Sequence, residues 1–356
     1  MRRFHPATIT EKIADTQDSY LLTLAVPAGA VDDFRYTQGQ HLPVRAQIRG
    51  ESVRRTYSIC TSVKDQQLQL GIRVQEDGLF SNYVAELKVG DTFDVMPPYG
   101  HFNTTLKPEQ AKTYAAFVAG SGMSPILSIV KTTLETESES RFLVFYGNRT
   151  RATTMFIEQL WALKNLYSER LALHFIMSQE ATEIELYSGR CDGTKVAALH
   201  TAFMHHERAD DIFVCGPNPM IDDVTASLVE LGYSPDRIHS ERFRSGLRRA
   251  ATPRPKKVAT PETGTEVTVV MDGERRSFHM GPDDGSILES AQVNGLDLPY
   301  SCKAGVCSTC RAFLTKGEVD IAVTYALEPW ERERGFILSC QARPKTAAVE
   351  LDFDQA

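Results

Sequence analysis

The stretch Cys302-Lys-Ala-Gly-Val-Cys307-Ser-Thr-Cys310, with Cys340 further on, decides how this chain is read. Cys-x4-Cys-x2-Cys followed by a distant fourth cysteine is the four-thiolate pattern of a [2Fe–2S] centre. Four thiolates must converge on two irons, and small residues must let the backbone wrap the cluster and aim N–H groups at its sulfurs. Ala304, Gly305, Ser308 and Thr309 supply such a loop. A structural zinc site usually pairs its cysteines in two Cys-x2-4-Cys knuckles, whereas this chain has one. Cys302, Cys307, Cys310 and Cys340 are therefore the expected metal ligands. Cys60, Cys191 and Cys215 are left over and are expected to be reduced thiols.

Around the cysteines, residues 263–356 read as one domain. The runs 267–271 and 275–279 flank Asp272-Gly273, a strong hairpin signal. Ser286 and Glu289 have capping-box spacing, and Gly295 stands where a helix ends. With a connection carrying Pro329 and a last strand at 349–353, the order supports a small sheet grasping one helix, a β-grasp. This region holds 15 Asp and Glu against nine Lys and Arg, in a chain of formal net charge −7. Most of the acidity thus lies beside the cluster, and a basic partner face is expected to dock there.

The preceding segment, 244–262, carries Arg244, Arg248, Arg249, Arg254, Lys256 and Lys257 among Pro253, Pro255 and Pro261. Neither helical nor strand periodicity survives, so it reads as an exposed linker. A flexible chain of that length spans about 25 Å, enough to let a cluster domain swing. Without interleaved aromatics or a basic chain overall, it does not read as a nucleic-acid-binding tract.

Residues 106–243 alternate strand and helix, with strands expected at 115–119, 142–146, 171–176 and 211–215, as in a doubly wound parallel sheet. Ala119-Gly120-Ser121-Gly122-Met123-Ser124-Pro125 lies between a strand and a helix expected at 125–134. Its glycines let the backbone approach a phosphate, Ser124 is expected to cap the helix, and Pro125 suits the first helical position. Pro125 also occupies the third place of Gly-x-Gly-x-x-Gly, so that motif is incomplete. Cys215-Gly216-Pro217 forms a second turn at the carboxyl end of a strand, where doubly wound sheets bind dinucleotides. Taken alone, Cys215 reads equally as a buried thiol. His200, His205 and His206 read as surface helix residues rather than metal ligands.

Residues 1–105 show short strands at 20–26, 40–46, 55–59, 68–74 and 92–96, broken by one helix at 80–87: an antiparallel barrel or sandwich. Arg55-Thr-Tyr57-Ser58 puts a guanidinium and a flat ring on one strand face, suited to a phosphate and a planar ligand. Gly78-Leu-Phe-Ser81 opens the helix and suits a second phosphate. Separately, each is equally an ordinary strand or cap.

Together, Arg55-x-Tyr57-Ser58, Gly78-x-x-Ser81, the Ala119 to Pro125 turn, Cys215-Gly-Pro217 and Glu241-Arg-Phe243 resemble, in their order, the ferredoxin-NADP reductase superfamily. With a plant-type ferredoxin domain at the C-terminus, nearly the whole chain resembles the reductase components of multicomponent oxygenases. Among these it is most similar to the reductase family of ring-1,2-phenylacetyl-CoA epoxidases, through Arg54-Arg-Thr-Tyr-Ser-Ile-Cys60, Tyr146-Gly-Asn-Arg-Thr150, Ser178-Gln-Glu180 and Leu327-Glu-Pro329. The resemblance implies FAD, a nicotinamide nucleotide and the cluster in series, and a multi-subunit diiron oxygenase as partner. It places Tyr57 and Ser58 against the flavin ring, Ser58 near its N5, with Arg55 and the Gly78 to Ser81 turn on the pyrophosphate and Ile72 and Val74 along the ring. Gly120, Gly122, Ser124, Cys215, Gly216 and Pro217 would hold the nicotinamide nucleotide, and Glu241 and Phe243 would approach the flavin. Ser58, Cys215 and Glu241 are the residues expected nearest the hydride transfer. Arg149 is the candidate for a 2′-phosphate, since a guanidinium fork suits that group. No acidic residue stands where NAD-binding folds place a ribose carboxylate, so NADPH is expected, with NADH the alternative.

Other outlets stay open: a phenol-type or Rieske hydroxylase, a hybrid-cluster protein, or a self-contained flavin or quinone reductase. No apolar run approaches the length of about 18 residues that spans a membrane, and the first residues lack a signal-peptide core, so a cytoplasmic location is expected.

Overall fold

Six N-terminal strands form one antiparallel sheet: β1 (His5–Thr16), β2 (Ser19–Ala25), β3 (His41–Ile48), β4 (Glu51–Ser58), β5 (Leu68–Arg73) and β6 (Thr92–Val95), in the order β4-β3-β6-β1-β2-β5. A bridge from Ile59, just beyond β4, to Leu70 in β5 joins the two end strands and closes a barrel. The structure is a computed structural model that describes residues 3–243 and 264–355, so the expected linker at 244–262 lies outside the described residues. Ile9, Leu22, Leu42, Val44, Leu70, Ile72 and Val95 fill the barrel with no solvent exposure. Helix α1 (Leu79–Glu86) buries Phe80 and Val84 against this core. The Lys12 ammonium closes its C-terminal end by donating to the carbonyls of Val84, Ala85 and Leu87 at 2.7–2.9 Å, complementing the helix dipole. The 12-residue β1 escapes the sequence reading because most of its side chains are charged or half-exposed, which leaves a weak apolar alternation.

The second sheet is wholly parallel: β7 (Thr113–Ala119), β8 (Arg141–Asn148), β9 (Leu171–Met177), β10 (Asp211–Gly216) and β11 (Ile238–Arg242), in the order β11-β10-β7-β8-β9. Helices α2 (Met123–Thr136) and α3 (Ile157–Leu166) cover one face, α4 (Gly193–Leu199) and α5 (Asn218–Glu230) the other. Along β7 the side chains divide accordingly. Tyr114, Ala116 and Val118 join the first core, Ala115 and Phe117 the second. The chain steps outward from β7 to β9 and then returns to place β10 on the other side of β7, so the topological switch point lies between β7 and β10.

His200 corrects the sequence reading. It is only 6% exposed: it stands four residues after Val196 and next to Leu199, on the buried face that α4 presents to the core, with its ring edge-on to Tyr233 at 5.7 Å. His205 and His206 are exposed as expected.

The C-terminal unit contains β12 (Thr265–Met271), β13 (Glu274–Met280), α6 (Ile287–Val293), β14 (Arg311–Lys316), β15 (Val319–Ile321), α7 (Pro329–Glu333), β16 (Phe336–Leu338), β17 (Ala342–Pro344) and β18 (Ala348–Asp352). Its main sheet runs β13-β12-β18-β14-β16, with β12 and β18 parallel. Asp272 and Gly273 both take positive φ, at 58° and 76°, as the hairpin requires. The Ser286 and Glu289 capping box is formed, and Ile287, Leu288 and Ala291 bury α6 in the sheet's core. The unit is a β-grasp. Among the described residues no helix is long and apolar enough to cross a membrane.

Candidate cofactor and electron-transfer sites

The four expected cluster ligands lie in one buried region, on the 302–310 loop and at the end of the segment that follows β16. The Cys302 thiol lies beside that of Cys307 and Cys310 beside Cys340, and the two pairs are close enough to act on each other electrostatically. Among the described residues no three His, Cys, Asp or Glu side chains gather as around a single metal ion. Two thiols per iron is the donor arrangement of a [2Fe–2S] centre, so the residues fit that group. Gly305 sits at φ 73°, and a Cβ there would fall 2.9 Å from Val323 Cγ1, so the tight loop needs glycine. The Ala304 and Cys302 amides donate to the sulfurs of Cys302 and Cys307 at 3.3 and 3.4 Å. Thr309 Oγ1 donates to Cys307 at 3.3 Å and Gln341 Nε2 to Cys340 at 3.5 Å. The neighbouring Cys307 and burial drive the Cys302 thiol up, and Cys340 and burial do the same to Cys310. Hydrogen bonding from Cys310, then from Gln341, brings Cys340 down. Buried thiols crowded in this way ionise together only around a cationic centre.

At the carboxyl edge of the parallel sheet, the two Gly-containing turns touch at the switch point. Gly120 takes φ 55°, and a Cβ on Gly122 would stand 2.5 Å from the Cys215 carbonyl oxygen, so glycine permits that approach. Cys215 is fully buried at the end of β10, its thiol pushed well above the usual range by burial and then by Glu241. Gly216 ends β10 and Pro217 caps α5. Ser124 departs from expectation. Helix α2 starts at Met123 after a short turn at Gly120–Gly122, which leaves Pro125 as its third residue. The Ser124 hydroxyl therefore does not cap the helix but donates to the Gly71 carbonyl of β5 at 3.4 Å. Arg149 is exposed just past β8. Its segment is held by the Ser178-Gln-Glu180 run: the Ser178 and Gln179 amides donate to the carbonyls of Asn148 and Arg149 at 2.9 and 2.8 Å, and Glu180 accepts the Arg151 N–H at 2.7 Å.

On the barrel, Arg55, Tyr57 and Ser58 lie along β4. The Tyr57 ring leans on Phe80 at 5.7 Å. Ile72 is fully buried in β5, and Val74 follows, half-buried. Gly78 precedes α1, and the Ser81 hydroxyl is engaged inside the turn, donating to the Gly78 carbonyl and accepting the Gln75 N–H at 3.1 Å each. The Ser58 hydroxyl reaches the Glu241 carboxylate at 3.5 Å, which brings barrel and parallel sheet together. Phe243 packs, half-buried, against the core beneath α2.

Three further residues have no signal in the sequence. His41 Nδ1 lies 3.5 Å from Glu241. The Asp15 carboxylate accepts the Phe156 N–H at 3.0 and 3.1 Å, and the Arg73 guanidinium donates to the Thr153 carbonyl. Barrel side chains thus hold the loop that follows Arg149. They contact backbone atoms across long sequence separations, which no local motif records.

Comparison with known proteins agrees with this geometry. Residues 6–104 match the oxidoreductase FAD-binding domain, 117–226 the oxidoreductase NAD-binding domain and 269–345 the 2Fe-2S iron-sulfur cluster binding domain. These three domains in one chain define an oxidoreductase that handles FAD, a nicotinamide nucleotide and a [2Fe–2S] cluster. The chain is 41% identical over 355 residues to one of the subunits of 1,2-phenylacetyl-CoA epoxidase from Escherichia coli (strain K12), covering 99% of each protein. It is 30% identical to the ferredoxin reductase component of 3-ketosteroid-9-alpha-monooxygenase from Rhodococcus rhodochrous, covering 97% of this chain and 96% of that protein. The chain belongs to this family of oxygenase reductase components. Phthalate dioxygenase reductase, at 22% identity and a TM-score of 0.59 over 98% of each chain, shares the fold.

Proposed function

We propose that this protein draws reducing equivalents from NADPH and delivers them singly to a multi-subunit diiron oxygenase of the phenylacetyl-CoA epoxidase type. The end-to-end identity of 41% to a component of the Escherichia coli 1,2-phenylacetyl-CoA epoxidase carries this reading. Bound flavin takes a hydride's two electrons and returns them one at a time, which suits a one-electron [2Fe–2S] centre.

The chain's own residues do the positioning. In the proposed division, residues 1–105 hold FAD, 106–243 the nicotinamide nucleotide and 263–356 the cluster, joined through 244–262. Arg55 and the backbone amides of the Gly78 to Ser81 turn bind the pyrophosphate, Tyr57 covers the flavin ring, and the strand backbone from Ile72 to Val74 passes the ring, the Ile72 side chain staying in the barrel core. Gly120, Gly122, Ser124, Cys215, Gly216 and Pro217 shape the nicotinamide cleft, with Arg149 on the 2′-phosphate. The Ser58 hydroxyl and the Glu241 carboxylate orient the reacting rings, and Phe243 closes the site. Cys302, Cys307, Cys310 and Cys340 hold the cluster. The acidity of its domain suits a basic face on the partner, and the chain works in the cytoplasm.

The test is reconstitution. The reduced protein is mixed with a purified diiron epoxidase and, separately, with a Rieske oxygenase. Product coupled to NADPH oxidation with the diiron partner, and lost as salt is raised, is the expected result. Turnover with the Rieske enzyme alone would overturn the partner assignment.

A further inference from the structure

Arg311 directly follows the ligand Cys310 and opens β14. Its guanidinium forms an ion pair with Glu331 of α7. The Glu331 side chain has no solvent exposure and that of Arg311 only 11%. The carboxylate also accepts the Glu328 N–H at 2.9 Å, closing the capping box of α7. The guanidinium carbon lies 4.7 Å from the centre of the Phe336 ring in β16. Arg311 is paired with Leu338 across β14 and β16, and the Ser339 amide donates to the Cys310 carbonyl at 3.0 Å. Cys340 is the next residue. The ion pair thus joins the segment carrying Cys310 to the one carrying Cys340, the two thiols that share a side of the cluster site.

Desolvating two charges is costly, and a buried ion pair is weak evidence for stability as such. What such a pair specifies is register: a slip of β16 against β14 would separate the two charges inside the core. We propose that Arg311 and Glu331 form a positioning clamp that holds Cys310 and Cys340 in register as a ligand pair. Neither residue touches the sulfurs. Their effect passes through the backbone of β14 and β16.

The test uses the full-length protein with its cofactors. Glu331→Gln keeps the shape and the bond from Glu328 but removes the anion. Loss of visible cluster absorbance to a chelator should become about tenfold faster or more, by the scale of outer-shell losses at metal sites. The electron paramagnetic resonance spectrum of the reduced cluster should change, and the reduction potential should rise because a negative charge near the cluster is lost. FAD content and flavin reduction by NADPH should be unaffected. Arg311→Lys, which keeps charge but not the fork, should fall between wild type and Glu331→Gln. Val349→Ala, a cavity elsewhere in the same core, controls for simple destabilisation: it should lower thermal stability and leave the spectrum unchanged. A wild-type spectrum and chelation rate in Glu331→Gln would overturn the proposal. So would a Val349→Ala protein that reproduces its spectral change.

Discussion

The Ser58 hydroxyl and the Glu241 carboxylate lie 3.5 Å apart, linking the end of β4 in the barrel to β11 of the parallel sheet. His41 approaches the other carboxylate oxygen at 3.5 Å, and Glu241 is only 10% exposed, so a polar group is held where two domains of chemistry meet. Glu241→Gln and Ser58→Ala should each slow flavin reduction by NADPH about tenfold or more, a modest share of what positioned polar groups contribute. Rapid-mixing absorbance at the flavin band reads that rate, and FAD content should stay at the wild-type level.

Gly122 tests the contact between the two turns. A methyl group there meets the Cys215 carbonyl at 2.5 Å, so Gly122→Ala forces the turns apart. Overpacking costs about 1–3 kcal/mol, and borne by the nucleotide cleft this weakens nucleotide binding about 5- to 150-fold. Calorimetric titration with NADP+ measures it, while cluster absorbance should not change.

The proposed contact of Arg149 with a 2′-phosphate predicts a difference between the two nicotinamide nucleotides. Losing a charge-assisted bond to a phosphate costs about 1.5–3 kcal/mol, or ten- to hundredfold in affinity. Arg149→Ala should therefore weaken NADPH by that factor and leave NADH within about twofold of wild type, since only the 2′-phosphate is lost. Equal losses for both nucleotides would remove Arg149 from this role.

His174 gives a pH dependence. Burial, then Lys164, lowers its imidazole to about 4. Its ring stacks on Phe145 at 5.0 Å, and Nδ1 meets the Tyr187 hydroxyl at 3.0 Å. Between an unfolded value of about 6.5 and this folded value the unfolded chain binds more protons, so stability falls as the pH drops through that window. His174→Phe keeps the stack and should flatten that part of the profile: it costs about 1 kcal/mol near pH 7 through the lost Tyr187 bond, and the difference from wild type shrinks as the pH falls. Thermal unfolding from pH 7 to pH 4 compares the two.

How far the sequence could be read depended on whether the constraint was local. The spacing of Cys302, Cys307 and Cys310 points to a 2Fe-2S domain, which residues 269–345 match, and Asp272-Gly273 to the positive φ of its turn, so domain and hairpin were both legible. The turn at Gly120 and Gly122 was legible for the same reason. The place of Ser124 was not, because its hydroxyl partner is the Gly71 carbonyl on a barrel strand 53 residues away. His200 shares the buried face of Val196, Leu199 and Met204, but a polar imidazole gives no apolar signal of that burial. Strand β1 was hidden by charged residues on its open face. The clamp of Arg311 and Glu331, like the grip of Asp15 on Phe156, exists only once distant segments pack.

In the proposed scheme electrons leave through the cluster held by the four cysteines, and Cys310→Ser removes one of its ligands. The variant is mixed anaerobically with NADPH and followed at the flavin band, then assayed with the diiron oxygenase in air. Flavin reduction should proceed at the wild-type rate, while oxygenase turnover falls by more than about a hundredfold, beyond the loss typical of an outer-shell partner. Oxygenase turnover close to wild type in Cys310→Ser would mean that electrons leave the flavin by another route.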